Sequence, residues 1–405
     1  MRICIVGLGY VGLPLAVAFA AAGVEVTGLD SSADRVAELR AGRSGIEDVS
    51  DDAVSNSGIT FTTEPPADCT AYLVCVPTPL ADGLPDLAAV EEATRAVGAV
   101  LAPGDLFVLE STTYPGTTEE VVGPLLRATA GHDEFLLAYS PERIDPGNAV
   151  FGIANTPKVV GGTTPAATAA AAELYGRVVE RVVLTKGTRE AEMAKLLENT
   201  FRHVNIALVN EMAVFCRELG VDLWDAIDAA STKPFGFLPF TPGPGVGGHC
   251  IPVDPSYLSW RVKKLGFSFR FVELAQEVNA RMPAYVVTRL TDLLNDAGLA
   301  LSRATILCLG VAYKPGVADC RESPALEVMA LLAAKGADVR FSDPHVDAVA
   351  GRQSQPLTAA SLAAADAVVV LTAHPSIDWD LVGRSARLVL DTRAVLPESA
   401  TVSRL

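Results

Sequence analysis

The hydrophobic pattern at the start of the chain predicts a strand, a helix and a second strand in close succession. The apolar run RICIVG leads into a glycine-rich turn, GLGYVG, and then into an apolar stretch that Gly23 ends. A second apolar run, VEVTGLD, ends at Asp30. Further strand-like runs occur at 71–76, 106–111 and 134–140. Strands that alternate with helical segments are typical of a parallel sheet covered on both faces.

From Thr188 the pattern changes to that of long helices. No proline or glycine occurs between Thr188 and Gly220, and the apolar residues follow a helical period. A loop rich in glycine and proline spans 233–255, and a second helical stretch runs from about Phe271 to Leu294. Pro283 lies within this second stretch and predicts a kink or a junction there.

The last region repeats the order of the first. ATILCLG, SPALEVMALLAAKG and ADVRFSD predict a strand, a helix and a strand that ends at Asp343. A basic loop with Lys314 and Arg321 replaces the glycine fingerprint, which suggests a ligand other than a dinucleotide. We therefore predict an α/β chain in which two Rossmann-like, doubly wound domains are joined by a long central helix. The predicted domains are 1–187, 188–298 and 299–405.

The net charge limits the classes of partner. The chain of 405 residues has 32 Lys and Arg against 48 Asp and Glu, a formal net charge of −16. Such an excess of acid repels nucleic-acid phosphates and anionic lipids, so we expect neither nucleic acid nor membrane as a partner. An anionic substrate would depend on local clusters of Lys and Arg.

Cysteine usage indicates a reducing, cytoplasmic location. The seven cysteines are scattered, and no CxxC pair or ligand-like histidine spacing occurs. We therefore expect neither a disulfide framework nor a metal site. The uncharged stretch from Ile3 to Val24 has some features of a secretory signal. Its glycines and Pro14, and the strand that follows at once, favour a strand–turn–helix unit instead.

The GLGYVG turn has the context of a dinucleotide site. It follows a strand, opens a helix and precedes an acid, Asp30, at the end of the next strand. Its three glycines permit the turn and let a pyrophosphate approach the helix N-terminus. The carboxylate of Asp30 would bind ribose hydroxyls and repel a 2′-phosphate, which favours NAD over NADP as cofactor.

The loop GVGGHCIPVDP contains a candidate nucleophile, Cys250, with Asp254 four residues later. A buried core cysteine is the common alternative, but core cysteines seldom lie among glycines and prolines. Glycines would let a substrate carbon approach the sulfur, and a thiolate is a strong nucleophile near neutral pH. A cysteine hydrolase is a weaker alternative, because adjacent side chains such as His249 point apart in an extended segment.

The predicted long helix contains a basic and an amide side chain one turn apart. EMAKLLEN places Lys195 and Asn199 on one helical face, with Glu192 and Glu198 elsewhere on the surface. Taken alone, this pattern favours a solvated stripe of charge.

Three other segments follow predicted strands, which is where open α/β sheets bind ligands. ESTTYPGTT spans 110–118 and SPERIDPGN spans 140–148. His374 also follows a strand, and we interpret it as a hydrogen-bonded structural histidine.

Taken together, these motifs resemble the UDP-glucose/GDP-mannose dehydrogenase family. The motifs are GLGYVG, VPTP, STTYPGTT, SPER, AEMAKLLENTFRHVNIALVNE, PGPGVGGHCIPVDP, GVAYKPGVADCRESPA and DPH. They occur in the family's order and cover nearly the whole chain. The resemblance implies oxidation of C6 of a nucleotide sugar from alcohol to carboxylate, with two NAD reduced per turnover. The long helix between two α/β domains also suggests a homodimer.

The resemblance implies a role for each matching residue. Cys250 is similar to the nucleophile that forms a thiohemiacetal and a thioester, and Lys195 and Asn199 to the pair that stabilises the oxyanion. Asp254, with Thr112, resembles the group that positions or deprotonates water, and Glu142 matches the SPE glutamate near the nicotinamide. The implied cofactor contacts are Gly7, Gly9, Tyr10, Val11, Gly12, Asp30, Arg35, Thr78, Thr112 and Arg321. The implied substrate contacts are Glu142, Arg143, Lys195, Asn199, Gly247, Lys314 and Arg393.

Two departures from the family pattern concern the substrate. Enzymes for UDP-glucose typically have NPEFxxEG, whereas Pro146 stands here at the second carboxylate, with Asp145 beside it. They also typically have GFGGSC, where this chain has GVGGHC. The chain resembles more closely the branch for UDP-N-acetylhexosamines, UDP-N-acetylglucosamine above all. UDP-glucose, dTDP-glucose and UDP-N-acetylmannosamine stay open as alternatives.

Two other functional classes fit parts of the pattern. A two-electron β-hydroxyacid-type dehydrogenase shares the first domain and the lysine, but it needs neither Cys250 nor the C-terminal domain. A catalytically silent nucleotide-sugar-binding regulator would have no reason to keep Cys250, Lys195, Asn199 and Asp254 together.

Overall fold

The computed structural model describes residues 1–81, 83–145, 148, 150–248 and 251–405. The chain divides into two compact units, one formed by 1–198 with 256–267 and the other by 199–255 with 268–405. Within the described ranges, no helix combines the length and the apolar character needed to cross a membrane.

The N-terminal unit is built on strands that alternate with helices. Its strands are β1 (Arg2–Val6), β2 (Glu25–Leu29), β3 (Thr60–Thr62), β4 (Ala71–Val74), β5 (Leu80–Ala81), β6 (Leu84–Pro85), β7 (Leu106–Leu109), β8 (Leu136–Tyr139), β9 (Lys158–Gly162) and β10 (Val182–Leu184). Its helices are α1 (Gly12–Ala21), α2 (Ala33–Arg40), α3 (Asp51–Ser55), α4 (Ala88–Gly98), α5 (Gly123–Ala130) and α6 (Pro165–Tyr175). A π-helical turn, Thr118–Val122, leads into α5.

Eight of these strands form one sheet in the order β10-β9-β8-β7-β4-β1-β2-β3. The pairs from β8 through β3 are parallel, as are β9 and β10, while β8 and β9 are antiparallel. Successive residues of β1 enter opposite cores. Ile3 packs with Phe19 of α1 on one face, and Cys4 packs with Val90 of α4 on the other. Helices therefore cover both faces of the sheet, which confirms the predicted doubly wound arrangement. The continuous apolar run of β1 is what a strand buried on both faces requires.

Three helices follow in the chain: α7 (Thr188–Glu218), α8 (Leu223–Ser231) and α9 (Asp254–Lys264). The uninterrupted periodicity after Thr188 thus corresponds to one helix of 31 residues. The boundary between the units falls within α7, after Glu198.

The C-terminal unit contains a second, smaller sheet. Its further strands are β11 (Thr305–Leu309), β12 (Asp338–Ser342), β13 (Ala348–Val349), β14 (Arg352–Gln353), β15 (Ala367–Val370), β16 (Val389–Asp391) and β17 (Val402–Arg404). Its further helices are α10 (Arg270–Asp296), α11 (Pro324–Ala334), α12 (Ala359–Ala364) and α13 (Trp379–Ser385). Five strands pair in parallel in the order β12-β11-β15-β16-β17. Ile306 packs with Val328 of α11 on one face, and Leu307 with Leu362 of α12 on the other.

Of the two alternatives predicted for Pro283, a kink or a junction, the junction is wrong and the kink stays a prediction. Helix α10 continues through this proline from Arg270 to Asp296. Proline removes one backbone donor, but the helix buries Met282, Val286 and Leu290 in the core of the C-terminal unit. Tertiary packing on both sides of the proline thus supports the helix.

Candidate active site

The turn after β1 is shaped for close approach of a ligand. Gly7 has a φ of +90° and donates its N–H to the carbonyl of Leu29 at 2.8 Å. A β-carbon on Gly12 would lie 1.8 Å from the Gly7 carbonyl oxygen, so only glycine fits there. Around Gly9, by contrast, no atom of the described residues, apart from Gly9 and its chain neighbours, lies within 4 Å of a built β-carbon. The turn is therefore tightly packed around Gly12 and open around Gly9, and Tyr10, which follows Gly9, is exposed.

Asp30 closes the same turn from the end of β2. Its Oδ2 accepts the N–H of Leu8 at 2.9 Å, and its Oδ1 accepts the N–H of Ser32 at 2.9 Å. The side chain is partly exposed, so each oxygen keeps room for a ribose hydroxyl. Arg35 supports the turn from α2, because its Nη2 donates to the Leu8 carbonyl at 3.0 Å and its Nη1 to that of Ser44 at 2.5 Å.

These residues fit a dinucleotide. Helix α1 begins at Gly12 without a side-chain cap and without an acid in its first turn. Its first backbone N–H groups and the positive end of its dipole are therefore available to a pyrophosphate. The predicted cofactor turn is thus a coherent local structure.

Glu142 and Lys195 meet within the N-terminal unit. The Lys195 ammonium donates to the Glu142 carbonyl at 2.7 Å and to its Oε2 at 3.2 Å. Lys195 is 5% exposed, which excludes a solvated charge stripe at this position. Arg143, next in the chain, pairs with Glu198 at 2.8 Å and donates to the Pro157 carbonyl at 2.5 Å.

Two other predicted residues follow strands of the same sheet. Thr112 lies shortly after β7 and is partly exposed. Thr78 follows β4, and its carbonyl accepts the Tyr257 hydroxyl at 2.6 Å. Because β1, β2, β4, β7 and β8 are parallel, their carboxyl ends place these segments along one edge of the sheet.

The predicted surface position of Glu192 is wrong. Its side chain is fully buried and accepts three hydrogen bonds: from the Gly116 N–H at 2.6 Å, the Thr118 N–H at 2.8 Å and the Thr118 hydroxyl at 2.7 Å. Burial raises the pKa of this carboxyl to about 7, and the bonds from Thr118 and Gly116 act against that rise. Glu192 thus fixes the TTYPGTT segment that contains Thr112.

A second buried network went unnoticed in the sequence. Glu110 is 2% exposed and accepts the Lys158 ammonium at 2.5 Å and the Tyr175 hydroxyl at 2.5 Å. Lys158 also donates to the Pro141 carbonyl at 3.1 Å, directly before Glu142. The three residues line a cavity together with Val11, Glu142 and Arg143. The available signal in the sequence was an acidic residue that directly follows the four apolar residues of a strand.

In the C-terminal unit, Asn199 meets Asp254. The Asn199 amide donates to Oδ2 of Asp254, and Arg202 donates to the Asn199 carbonyl oxygen. Asn199 is 1% exposed and Asp254 is 4% exposed, so this polar contact is buried. Cys250 and the neighbouring His249 lie outside the described residues.

The glycine loop before Cys250 is tightly seated. A β-carbon on Gly247 would lie 2.7 Å from the Glu322 carbonyl oxygen and 2.9 Å from Cβ of Tyr313. Farther back, the Gly243 N–H donates to Asn210 at 2.9 Å, and Asn210 donates to Asn279 at 2.9 Å. This buried amide pair, which anchors the loop, was not predicted.

The predicted basic residues lie on two loops of the C-terminal sheet. Lys314 lies over the Tyr313 ring, 5.9 Å from its centroid, and Arg321 pairs with Asp319 at 2.6 Å. Arg393 follows β16 and donates to the Leu371 carbonyl at 2.8 Å. His374 is hydrogen-bonded, as predicted, and the structure gives Asp343 as its partner.

Comparison with known proteins decides the family. The model of the UDP-glucose/GDP-mannose dehydrogenase family matches the chain in three parts. Its NAD-binding domain matches residues 1–179, its central domain 189–281 and its UDP-binding domain 307–398. The chain belongs to the UDP-glucose/GDP-mannose dehydrogenase family.

Curated relatives agree with this family. A UDP-N-acetyl-D-mannosamine dehydrogenase of Pyrococcus horikoshii is 36% identical, covering 98% of this chain and 96% of its own. A UDP-N-acetyl-D-glucosamine 6-dehydrogenase of Pseudomonas aeruginosa is 34% identical, covering 100% and 99%. A solved structure of the UDP-D-ManNAc dehydrogenase from Pyrococcus horikoshii has a TM-score of 0.90 at 35% identity, covering 100% of this chain and 99% of that one.

This family member is an NAD-dependent oxidoreductase that acts on a nucleotide sugar. The turn around Gly7 and Asp30 lies in the matched NAD-binding domain, and the loop with Lys314 in the matched UDP-binding domain. The expectation that the second Rossmann-like domain serves a different ligand is consistent with this match.

Proposed function

We propose that the protein oxidises the C6 hydroxyl of a nucleotide sugar to a carboxylate and reduces two NAD in each turnover. The observation that carries this proposal is a pair of buried contacts made by residues of α7. Lys195 contacts Glu142, and Asn199, one turn later, contacts Asp254. A fixed ammonium and a fixed amide donor suit an oxygen that gains negative charge during reaction.

The chemistry follows from the residue types. In the first oxidation, C6 loses a hydride and its hydroxyl loses a proton, which gives an aldehyde; NAD supplies the hydride acceptor in both oxidations. The Cys250 thiolate adds to the aldehyde, and Lys195 and Asn199 stabilise the resulting oxyanion. Loss of a second hydride gives a thioester. Water, positioned or deprotonated by Asp254 with Thr112, cleaves it to the acid and the free thiol.

The remaining predicted residues bind and orient the reactants. Glu142 lies beside Lys195 and would face the nicotinamide and the hydrolytic water. A nucleotide diphosphate is dianionic or more, so the cations of Lys314 and Arg393 suit it. The proposed cofactor contacts outside the first turn are Arg35, Thr78, Thr112 and Arg321. The proposed further substrate contacts are Arg143 and Gly247.

We propose UDP-N-acetylglucosamine as the substrate. The SPERIDPGN segment and the GVGGHC loop support the N-acetylhexosamine branch over UDP-glucose. A relative named for UDP-N-acetyl-D-glucosamine matches the whole chain at 34% identity. The relative named for UDP-N-acetyl-D-mannosamine, at 36%, makes the C2 epimer the second candidate.

The test is the number of NADH formed per sugar consumed. Purified protein is assayed on UDP-N-acetylglucosamine, UDP-N-acetylmannosamine, UDP-glucose and dTDP-glucose, with NADH followed by absorbance and the product by mass spectrometry. We expect two NADH per UDP-N-acetylglucosamine. One NADH per sugar would mean that oxidation stops at the aldehyde. No NADH with any of the four sugars would refute the proposed substrate class.

The thiol has its own test. Cys250→Ala removes the nucleophile, so acid formation should fall about 1,000-fold or more while slow aldehyde chemistry continues. Cys216→Ala, a change of the same size in a buried helix residue, serves as the matched control. Full activity of Cys250→Ala would end the covalent mechanism.

We also propose that the protein is a homodimer through α7. Leu197, Phe201, Leu208 and Phe215 are each more than two-fifths exposed and recur along one helix at spacings of four and seven residues. An apolar stripe at this spacing pairs readily with a second helix. Light scattering should give a dimer mass, and Leu208→Glu should lower it, whereas Glu211→Gln should not. A monomer at micromolar concentration would contradict the proposal.

The domain division 1–187, 188–298 and 299–405 is proposed as the functional one, and the three family matches support it. A cytoplasmic location is proposed as well. The described cysteines Cys4, Cys69, Cys75, Cys216, Cys308 and Cys320 are free thiols, which suits a reducing compartment.

A further inference from the structure

His374 is the centre of a buried hydrogen-bond relay in the C-terminal unit. Its ring is fully buried, Nε2 lies 3.1 Å from Oδ2 of Asp343, and Nδ1 accepts the N–H of Gly316 at 3.2 Å. Because a backbone N–H only donates, Nδ1 is without a proton. The proton of the neutral ring is therefore on Nε2, where it is donated to Asp343.

Asp343 is a fully engaged acceptor. Its Oδ2 also accepts the N–H of Val311 at 2.7 Å, and its Oδ1 accepts those of His345 at 2.8 Å and Val346 at 3.1 Å. Burial alone would raise the pKa of Asp343, but the hydrogen bonds from His374, Val311 and His345 lower it to about 2. The carboxylate is thus held in place by backbone N–H groups, and it in turn holds the imidazole of His374.

The relay ends on the loop that contains Lys314. Two side chains that follow β15 hold this loop on either side of the lysine. The Thr372 hydroxyl donates to the Ala312 carbonyl at 2.6 Å, and His374 accepts the Gly316 N–H. The Lys314 backbone lies between these two anchors. Its ammonium lies 5.9 Å from the centroid of the Tyr313 ring.

We propose that His374 is a positioning residue for the nucleotide half of the substrate: it fixes the loop from which Lys314 reaches a nucleoside diphosphate. The ligand of Lys314 rests on the proposed function, whereas the anchoring of the loop rests on the contacts of His374 alone. A lysine is a point charge on a flexible stem, so its contribution to phosphate binding depends on how well its backbone is held.

Two substitutions separate the two nitrogen contacts. In His374→Asn, the side-chain oxygen reaches the former Nδ1 position and can still accept the Gly316 N–H, but the bond to Asp343 is lost. In His374→Gln, the amide nitrogen reaches the former Nε2 position and can still donate to Asp343, but the anchor on Gly316 is lost. His345→Gln, an exposed imidazole 5.0 Å from the His374 ring, is the matched control.

The full chain of each variant is titrated with UDP by calorimetry and with NADH by fluorescence, and KM and kcat are measured for the nucleotide sugar. His374→Gln should raise the Kd for UDP and the KM about tenfold, the usual size for one hydrogen bond to a fixed group. His374→Asn should stay within about threefold. The Kd for NADH and the values of His345→Gln should not change.

Equal UDP affinity in the two His374 variants, whether weakened or not, would overturn the proposal. Hydrogen exchange of 311–322, measured by mass spectrometry without ligand, separates this failure from failure of the proposed function. Faster exchange in His374→Gln than in His374→Asn upholds the anchor even if the wild type binds no UDP. Equal exchange in the two variants refutes the anchor whatever the substrate is.

Discussion

The turn after β1 and the turn after β11 share one backbone design but expose different chemistry. In each, a glycine of positive φ follows the strand: Gly7 at +90° and Gly310 at +78°. In each, the next N–H binds a carboxylate at the end of the neighbouring strand, Leu8 to Asp30 at 2.9 Å and Val311 to Asp343 at 2.7 Å. The two sheets therefore repeat one local solution for the start of a Rossmann-like fold.

The difference lies in what remains free afterwards. Asp30 accepts one described hydrogen bond on each oxygen, whereas Asp343 is buried and accepts several, including that of His374. Helix α1 begins uncapped, whereas α11 is capped by its own Ser323 and has Glu327 in its first turn. The first turn can receive a ribose and a pyrophosphate. In the second turn, Asp343 and the N-terminus of α11 already have partners within the chain. Our proposal therefore assigns the anionic ligand of this unit to cations on loops, such as Lys314.

The largest expected effect comes from adding a β-carbon at one tightly packed glycine in each turn, Gly12 in the first and Gly310 in the second. A β-carbon on Gly12 would lie 1.8 Å from the Gly7 carbonyl oxygen, and one on Gly310 would lie 2.3 Å from that of Thr372. Gly12→Ala should raise the Kd for NADH about 100-fold and leave UDP binding intact, because the strain falls on one turn only. Gly310→Ala should do the reverse. Fluorescence and calorimetric titrations of folded protein measure both.

Loss of both ligands in either glycine variant would show that the two turns do not act independently. Circular dichroism and a thermal melt of each variant establish that the fold is present before the affinities are compared.

The second effect concerns coenzyme choice. Asp30→Asn removes the charge that would repel a 2′-phosphate, so the ratio of kcat/KM for NADP to that for NAD should rise about tenfold or more. Asp343→Asn occupies the equivalent position in the other sheet and should leave this ratio unchanged. Unchanged preference in Asp30→Asn would show that Asp30 is not at the ribose.

The third effect is on pH-dependent stability, where two buried carboxylates act in opposite directions. Burial raises the pKa of Glu192 to about 7, above its ordinary value of 4.5, so its stabilising contribution is complete below pH 4.5 and is lost as the pH rises through 7. The pKa of Asp343 is lowered to about 2, so its contribution is present above pH 3.8 and is lost as the pH falls through 2.

Glu192→Gln imitates the protonated side chain and should flatten the fall in melting temperature between pH 5 and pH 8. The shift corresponds to roughly 3 kcal/mol at most, from 1.36 kcal/mol per pKa unit. Glu92→Gln on the exposed face of α4 is the control. Parallel pH profiles for wild type and Glu192→Gln would contradict a titration of Glu192 in this range.

The smallest expected effect comes from removing a single hydroxyl group that holds the loop after β11 or the loop after β4. Thr372 donates to the Ala312 carbonyl at 2.6 Å, and Ser111 donates to the Val76 carbonyl at 2.7 Å. Thr372→Val should weaken UDP about threefold and Ser111→Ala should weaken NADH about threefold, each with no effect on the other ligand. Thr372→Ser keeps the hydroxyl and should behave as wild type. Weaker NADH binding in Thr372→Val, or weaker UDP binding in Ser111→Ala, would contradict the assignment of one ligand to each loop.

Much of this architecture could be predicted because it depends on residues that are close to one another along the chain. Buried strands correspond to apolar runs, glycines mark the turns, and Asp30 and Asp343 follow directly on strands that the sequence predicts to end there. The predictions failed where burial depends on distant partners. Glu192 looked like a surface residue, yet its hydrogen bonds reach residues 74 and 76 positions earlier in the chain.

The sequence by itself determined the order of strands and helices, the glycine turn, and the residues whose motifs carry the family resemblance, since these depend on neighbours within a few positions. Only the tertiary structure decided which charges are buried and what they bind. It joined Glu110 to Lys158 and Tyr175, and His374 to Asp343 and Gly316. The physical reason is desolvation: a buried polar group must find its partner in space, and no local pattern specifies which strand end will supply it.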